Sequence, residues 1–131
     1  MLVLDTHIWH WWVNQILGKL SSEVIGLIEE TDEVAISAIS CFEMAWLVRH
    51  GRIKMEMPFE DWFNEVETST DIQILSVNAK ISIKAVNLPE HHKDPQDRII
   101  IATALHYDAD LLSFDSAFSA YNELDGRLIC A

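Results

Sequence analysis

Three carboxylates, Asp5, Asp97 and Asp115, stand where this chain changes from one kind of segment to another, and a fourth, Glu43, lies within an apolar segment. Asp5 follows the apolar run Leu2 to Leu4, and Asp115 closes the run DLLSFD. Asp97 falls in the first turn of a helix opened by Asp94-Pro95, an acceptor at the N-cap followed by proline at the first helical position. Unpaired backbone N–H groups and the positive end of the helix dipole are expected to hold its carboxylate ionised and aimed. Glu43 sits between Phe42 and Met44 in an otherwise apolar helical segment. A carboxylate there must face water, a partner or a metal, because an isolated buried charge is costly. Each acid also has a plainer reading, as a helix cap or a solvent-facing group. Only the elements that carry them can separate the two.

Those elements alternate. Leu2 to Leu4, Glu33 to Ser37, Gln73 to Val77 and Asp110 to Asp115 read as short buried strands, with Leu128 to Cys130 as a weak fifth. Between them lie helical patterns at about Ile8 to Val13, Ser21 to Glu30, Ala38 to His50, Phe59 to Val66, Asn78 to Val86 and Pro95 to Tyr107. Phe59, Trp62, Phe63 and Val66 form one apolar stripe, suited to the core or to a second subunit. The tryptophans of IWHWWV are read as packing, and His7 and His10, lacking a third ligand, as packing or surface groups. Strands alternating with helices predict an α/β fold: a three-layer α/β/α sandwich on a mostly parallel sheet of four to five strands. In such sheets the functional crevice lies at the carboxyl ends of the strands, so the four acids are expected at one edge. No linker, repeat or low-complexity tract interrupts residues 1–131, which are read as one domain.

Like charges gathered at one edge repel by roughly 4 kcal/mol per pair at 4 Å and an effective dielectric of 20. A hard divalent cation offsets this, and Mg²⁺ or Mn²⁺ would join the carboxylates to a phosphate while activating a water as nucleophile. The implied reaction class is phosphodiester hydrolysis. No serine nucleophile elbow, P-loop or cysteine–histidine pair competes with it. Cys41 and Cys130 read as small hydrophobes rather than a bridge or a site.

The net charge of −12, from 21 acids against 9 bases, excludes a protein that holds nucleic acid by general basicity. Binding of a polyanion would need metal ions or a local basic rim, and a basic partner protein would suit the surface. The densest basic cluster, Arg49, Arg52 and Lys54, surrounds Gly51 at the end of a helix, where capping accounts for part of it. No apolar run reaches a membrane span, and MLVLDTH lacks the basic lead of a signal peptide, so a cytoplasmic location is expected.

The segments LDTHIWHWW, SAISCFEMAWLVRHGRI, LPEHHKDPQDRIIIATAL and LLSFD together resemble the PIN-domain ribonucleases, in particular the VapC-like toxins of toxin–antitoxin pairs. The resemblance runs from Leu2 to about Phe118, and the tail YNELDGRLICA departs from it. It places the family's acids on Asp5, Glu43 and Asp97, with Asp115 as a more variable fourth. It implies a Mg²⁺- or Mn²⁺-dependent endoribonuclease that leaves a 5′-phosphate and a 3′-hydroxyl. It also implies a homodimer held inactive by a cognate antitoxin whose C-terminal segment covers the acidic groove. Asp5 and Asp97 would hold the metal, and Glu43 and Asp115 would complete its shell or orient the water. Thr6 and Ser113 would add hydrogen bonds behind them. Arg49, Arg52, Lys54, Lys93 and Arg98 would be the RNA contacts. The competing readings are a PIN-type nuclease for structured DNA and a catalytically idle binding module.

Overall fold

The computed structural model describes residues 1–131, and its five strands form one sheet in the order β3-β2-β1-β4-β5, with every neighbouring pair parallel. The strands are β1 (Leu2–Leu4), β2 (Val34–Ser37), β3 (Gln73–Leu75), β4 (Asp110–Ser113) and β5 (Leu128–Cys130). Six helices connect them: α1 (Thr6–Val13), α2 (Ser22–Glu30), α3 (Ala38–Arg49), α4 (Phe59–Ser69), α5 (Ala79–Asn87) and α6 (Pro95–His106). Two short 3₁₀ turns, Ser116–Ala120 and Asn122–Leu124, lie between β4 and β5.

The two-residue period of a strand sorts its side chains into two cores. Leu2, Leu4, Val34, Ile36 and Leu112 face one layer, packed with Ile8 and Trp9 of α1, Ile28 of α2 and Trp62 and Val66 of α4. Val3, Ala35 and Leu111 face the other, against Ile81 and Ala85 of α5 and Ile100, Ile101 and Ala104 of α6. Helix α3 packs on both α1 and α6. Five consecutive residues of α6, Ile100 to Ala104, are buried, as its apolar body predicted. The three-layer α/β/α sandwich is therefore the fold, and the weak fifth strand is real, registered as Leu111↔Leu128 to Ser113↔Cys130.

Of the boundaries that differ from the sequence reading, three do so where a side chain supplies a cap. Helix α1 begins at Thr6 rather than Ile8, since the Asp5 side chain accepts the Thr6 N–H. Strand β3 ends at Leu75, and Asn78 then caps α5 through the Ile81 N–H. Strand β4 ends at Ser113, not at Asp115, because the Ser113 hydroxyl accepts the Asp115 N–H and Asp115 in turn caps the next 3₁₀ turn through Ala117. At the end of α3, Gly51 has φ +72°, with Gly51 N–H to Val48 O at 3.1 Å and Arg52 N–H to Leu47 O at 2.9 Å. This paired closure requires a left-handed residue, which is why a glycine stands there.

From the central β1 the chain moves outward to β2 and β3, then returns to β4 on the opposite side of β1. The reversal between β1 and β4 is the point at which helices leave in opposite directions and a crevice opens beyond the strand ends. Asp5 follows one of these strands, and Ser113 and Asp115 end or follow the other. No helix is long and apolar enough to cross a membrane.

Candidate active site

At this crevice the ladder runs out into side-chain chemistry. The Asp5 N–H still donates to Leu112 O at 3.0 Å, fixing β1 against β4, and the Asp5 side chain then turns into the gap. Its Oδ1 accepts the Thr6 N–H at 2.7 Å and its Oδ2 accepts the Ser113 hydroxyl at 2.7 Å. The Thr6 and Ser40 hydroxyls share a hydrogen bond at 2.9 Å, tying α1 to α3 in the same buried polar layer. Thr6 and Ser113 thus both stand behind the acids, with Ser113 joining Asp5 to the Asp115 backbone.

Asp97 and Asp115 approach from the far side through a residue that the sequence did not single out. His92 Nε2 lies 3.0 Å from Asp97 Oδ2 and 3.3 Å from Asp115 Oδ2. The Asp94 N–H lies 3.3 Å from His92 Nδ1, which turns Nε2 towards the two carboxylates. The Tyr121 hydroxyl accepts the His92 N–H at 2.9 Å, and Phe118 packs edge-on against the ring. Its signal was present in HHKDPQD, but no spacing rule connects a histidine in a loop to acids five and twenty-three residues later. Asp94 caps α6 through the Gln96 N–H at 2.9 Å.

The acids act on one another. Burial raises the Asp97 carboxyl, assisted by the charges of Asp5, Asp94 and Glu43 and opposed by His92, to about 7. This corrects the expectation that the helix dipole would keep it firmly ionised: desolvation and three like charges outweigh half a charge of dipole. Burial likewise raises Glu43, against a hydrogen bond from Thr6 and the nearby His7, with Asp5 and Asp94 adding to the rise. Asp5 is raised by burial, although Ser113, the Thr6 N–H and His7 all favour its charged form and only Asp115 adds to the rise. Glu43 Oε1 is buried without a hydrogen-bond partner. An unpartnered carboxylate oxygen among hard oxygen donors fits a divalent cation, as does the spacing of the His92, Asp97 and Asp115 donor atoms, all within 4.8 Å of one another.

The basic residues do not gather with the acids as one group. Arg49, Arg52 and Lys54 are exposed at and just beyond the end of α3 away from Ser37, with Arg52 over the Trp46 ring at 5.7 Å. Lys93 is exposed next to His92. Arg98 is turned inward: its guanidinium donates to the carbonyls of Val86, Leu88, Pro89 and His92 at 2.8 to 3.1 Å. The carbonyls at the end of α5 and in the loop that follows it thereby occupy the side chain that was expected to meet RNA.

The family model described as "PIN domain" matches residues 2–124. The chain belongs to the PIN-domain family. Among curated relatives, this PIN domain is 33% identical to Ribonuclease VapC22 of Mycobacterium tuberculosis over 87% of the present chain and 86% of that protein. Its fold is shared with VapBC2 from Rickettsia felis bound to a DNA fragment from their promoter, at TM-score 0.72 and 17% identity over 99% of this chain and 98% of that one. A toxin–antitoxin complex from Klebsiella pneumoniae shares it at TM-score 0.69 and 18% identity, covering 98% and 96%.

Proposed function

We propose that this PIN domain is a divalent-metal-dependent endoribonuclease, the toxin component of a toxin–antitoxin pair, acting in the cytoplasm as a single domain over residues 1–131. The reading is supported by the geometry at the ends of β1 and β4, where Ser113 ties Asp5 to the turn of Asp115, His92 lies between Asp97 and Asp115, and a Glu43 oxygen is buried without a hydrogen-bond partner. The curated relative of 33% identity, a ribonuclease, supports the choice of RNA.

Asp5 and Asp97 are the residues that would hold Mg²⁺ or Mn²⁺, with Glu43 and Asp115 completing the shell or orienting the attacking water. When bound, the ion supplies Lewis-acid stabilisation of charge on the phosphoryl group. The protein's own part is positional. Ser113 holds Asp5 at 2.7 Å and fixes the turn that carries Asp115, and Thr6 presents its N–H to Asp5. Lys93, Arg49, Arg52 and Lys54 remain available for phosphates, Lys93 nearest the acids. A homodimer and an antitoxin with a basic segment over the groove complete the assembly, and the net charge of −12 suits such a partner.

The test is side-by-side cleavage of matched RNA and DNA oligonucleotides with Mn²⁺, together with calorimetric titration of Mn²⁺. The expected result is RNA cleavage by the wild-type chain and none by Asp97→Asn, with one divalent site lost in the variant. Preferential cutting of DNA would move the substrate class, and a chain that binds no divalent ion would be an idle module.

A further inference from the structure

Most of the large side chains near the crevice are buried, yet Phe114, between Ser113 and Asp115, is 46% exposed. It is not loose. Its ring meets His7 edge-on with centroids 5.6 Å apart and lies 4.8 Å from the half-buried Trp11. His7 and Trp11 are themselves in contact at 5.7 Å, so the three rings brace one another on the α1 side of the acids. Lys19 Nζ stands over the Trp11 ring at 5.5 Å, giving the outer edge of the group a positive charge. His7 lies in the first turn of α1, two residues after its cap Asp5, and Phe114 sits between Ser113, which is bonded to Asp5, and Asp115, so the rings border the acidic crevice.

We propose that Phe114, braced by His7 and Trp11, is a stacking platform for a base of single-stranded RNA next to the scissile phosphate. The inference rests on the ribonuclease reading above and adds the way in which substrate is held. Charge is the first reason for an RNA base rather than another occupant. With 21 acids against 9 bases, and with Arg98 spent on four carbonyls, few cations near the acids remain for phosphates. Affinity for an unpaired strand must then come from aromatic faces, which accept any base. Position is the second reason. Phe114 lies on the same turn as Asp115, so a base stacked on its ring would stand next to the acids. The mutual bracing of the rings is the third, because a ring already fixed loses little freedom when a base settles on it.

The experiment is steady-state cleavage of a single-stranded RNA oligonucleotide with Mn²⁺ by wild type, Phe114→Ala, Phe114→Leu and Phe114→Tyr, with thermal midpoints to confirm folding. Phe114→Ala and Phe114→Leu should raise KM roughly 5- to 150-fold, the range one stacked base is worth, with kcat changed much less. Phe114→Tyr should stay near wild type because it keeps the ring. An abasic nucleotide moved through the cleavage site should raise the wild-type KM at one position, and Phe114→Ala should be insensitive there. An unchanged KM in Phe114→Ala on an RNA that wild type cuts would overturn the platform alone, as would weakened binding of an antitoxin protein with unchanged KM. A wild-type chain that cuts no RNA would remove the ribonuclease reading and the platform together.

Discussion

The carboxyl of Asp97, pushed up to about 7 by burial and by Asp5, Asp94 and Glu43, makes protons and metal ions competitors near neutrality. The folded state binds a proton there that the unfolded chain, near 3.8, has already released. Stability without metal is thus expected to fall as pH rises from about 4 towards 7, the sign set by the extra proton held in the folded state. Thermal midpoints in chelator across that range check this, and Mn²⁺ should flatten the decline. A decline that persists in Asp97→Asn would place the linkage on another group. A second residue-scale prediction concerns Ser113, whose hydroxyl serves both Asp5 Oδ2 and the Asp115 N–H. Ser113→Ala is expected to weaken Mn²⁺ binding by about 10- to 100-fold, as loss of a supporting hydrogen bond behind a metal ligand does. Calorimetry of the variant measures it.

At the scale of elements, the joint between α5 and α6 depends on Arg98 rather than on apolar contact alone. Four carbonyls converge on one guanidinium, and lysine cannot reproduce that planar fork. Arg98→Ala and Arg98→Lys should each lower unfolding stability by roughly 2 kcal/mol or more in urea, since hydrogen bonds to a charged group contribute about 1.5 to 3 kcal/mol each and do not simply add. Arg49→Ala, at an exposed position, should change stability by less than about 0.5 kcal/mol. Equal effects from the two would mean that the clamp is not what joins the helices. The same comparison explains why a list of basic residues in a sequence misassigns some of them. A charge near an acidic edge attracts attention as a ligand contact, whereas an unfilled helix end a few residues upstream has the prior claim on its donors.

For the whole molecule, a surface of net charge −12 sets how substrate can be held. If few phosphates are neutralised by side chains, binding of single-stranded RNA should depend weakly on salt. A plot of log affinity against log salt is expected to be no steeper than about −2, the slope for some three phosphates at 0.7 each. Fluorescence anisotropy between low and physiological salt, in an Asp97→Asn background that prevents cutting, gives the slope, and a much steeper one would assign binding to a basic surface instead. The fold itself was open to reading in the sequence because its signals are local. Short apolar runs, the Asp94-Pro95 helix start and the Gly51 helix end each follow from the sterics and hydrogen bonding of a few neighbouring residues. Their alternation leaves only a parallel three-layer arrangement. The expectation that Asp5, Glu43, Asp97 and Asp115 share one crevice edge came from the same local signals, since the strands of a parallel sheet all end on one side and the helices that follow them start there. What tertiary structure alone decided is how that edge is furnished. It set His92 between Asp97 and Asp115, turned Arg98 inward, raised Asp97 against its helix dipole and left Phe114 bare beside the acids. Each of these depends on desolvation and on distances between residues far apart in the chain, quantities that no local pattern of residues contains.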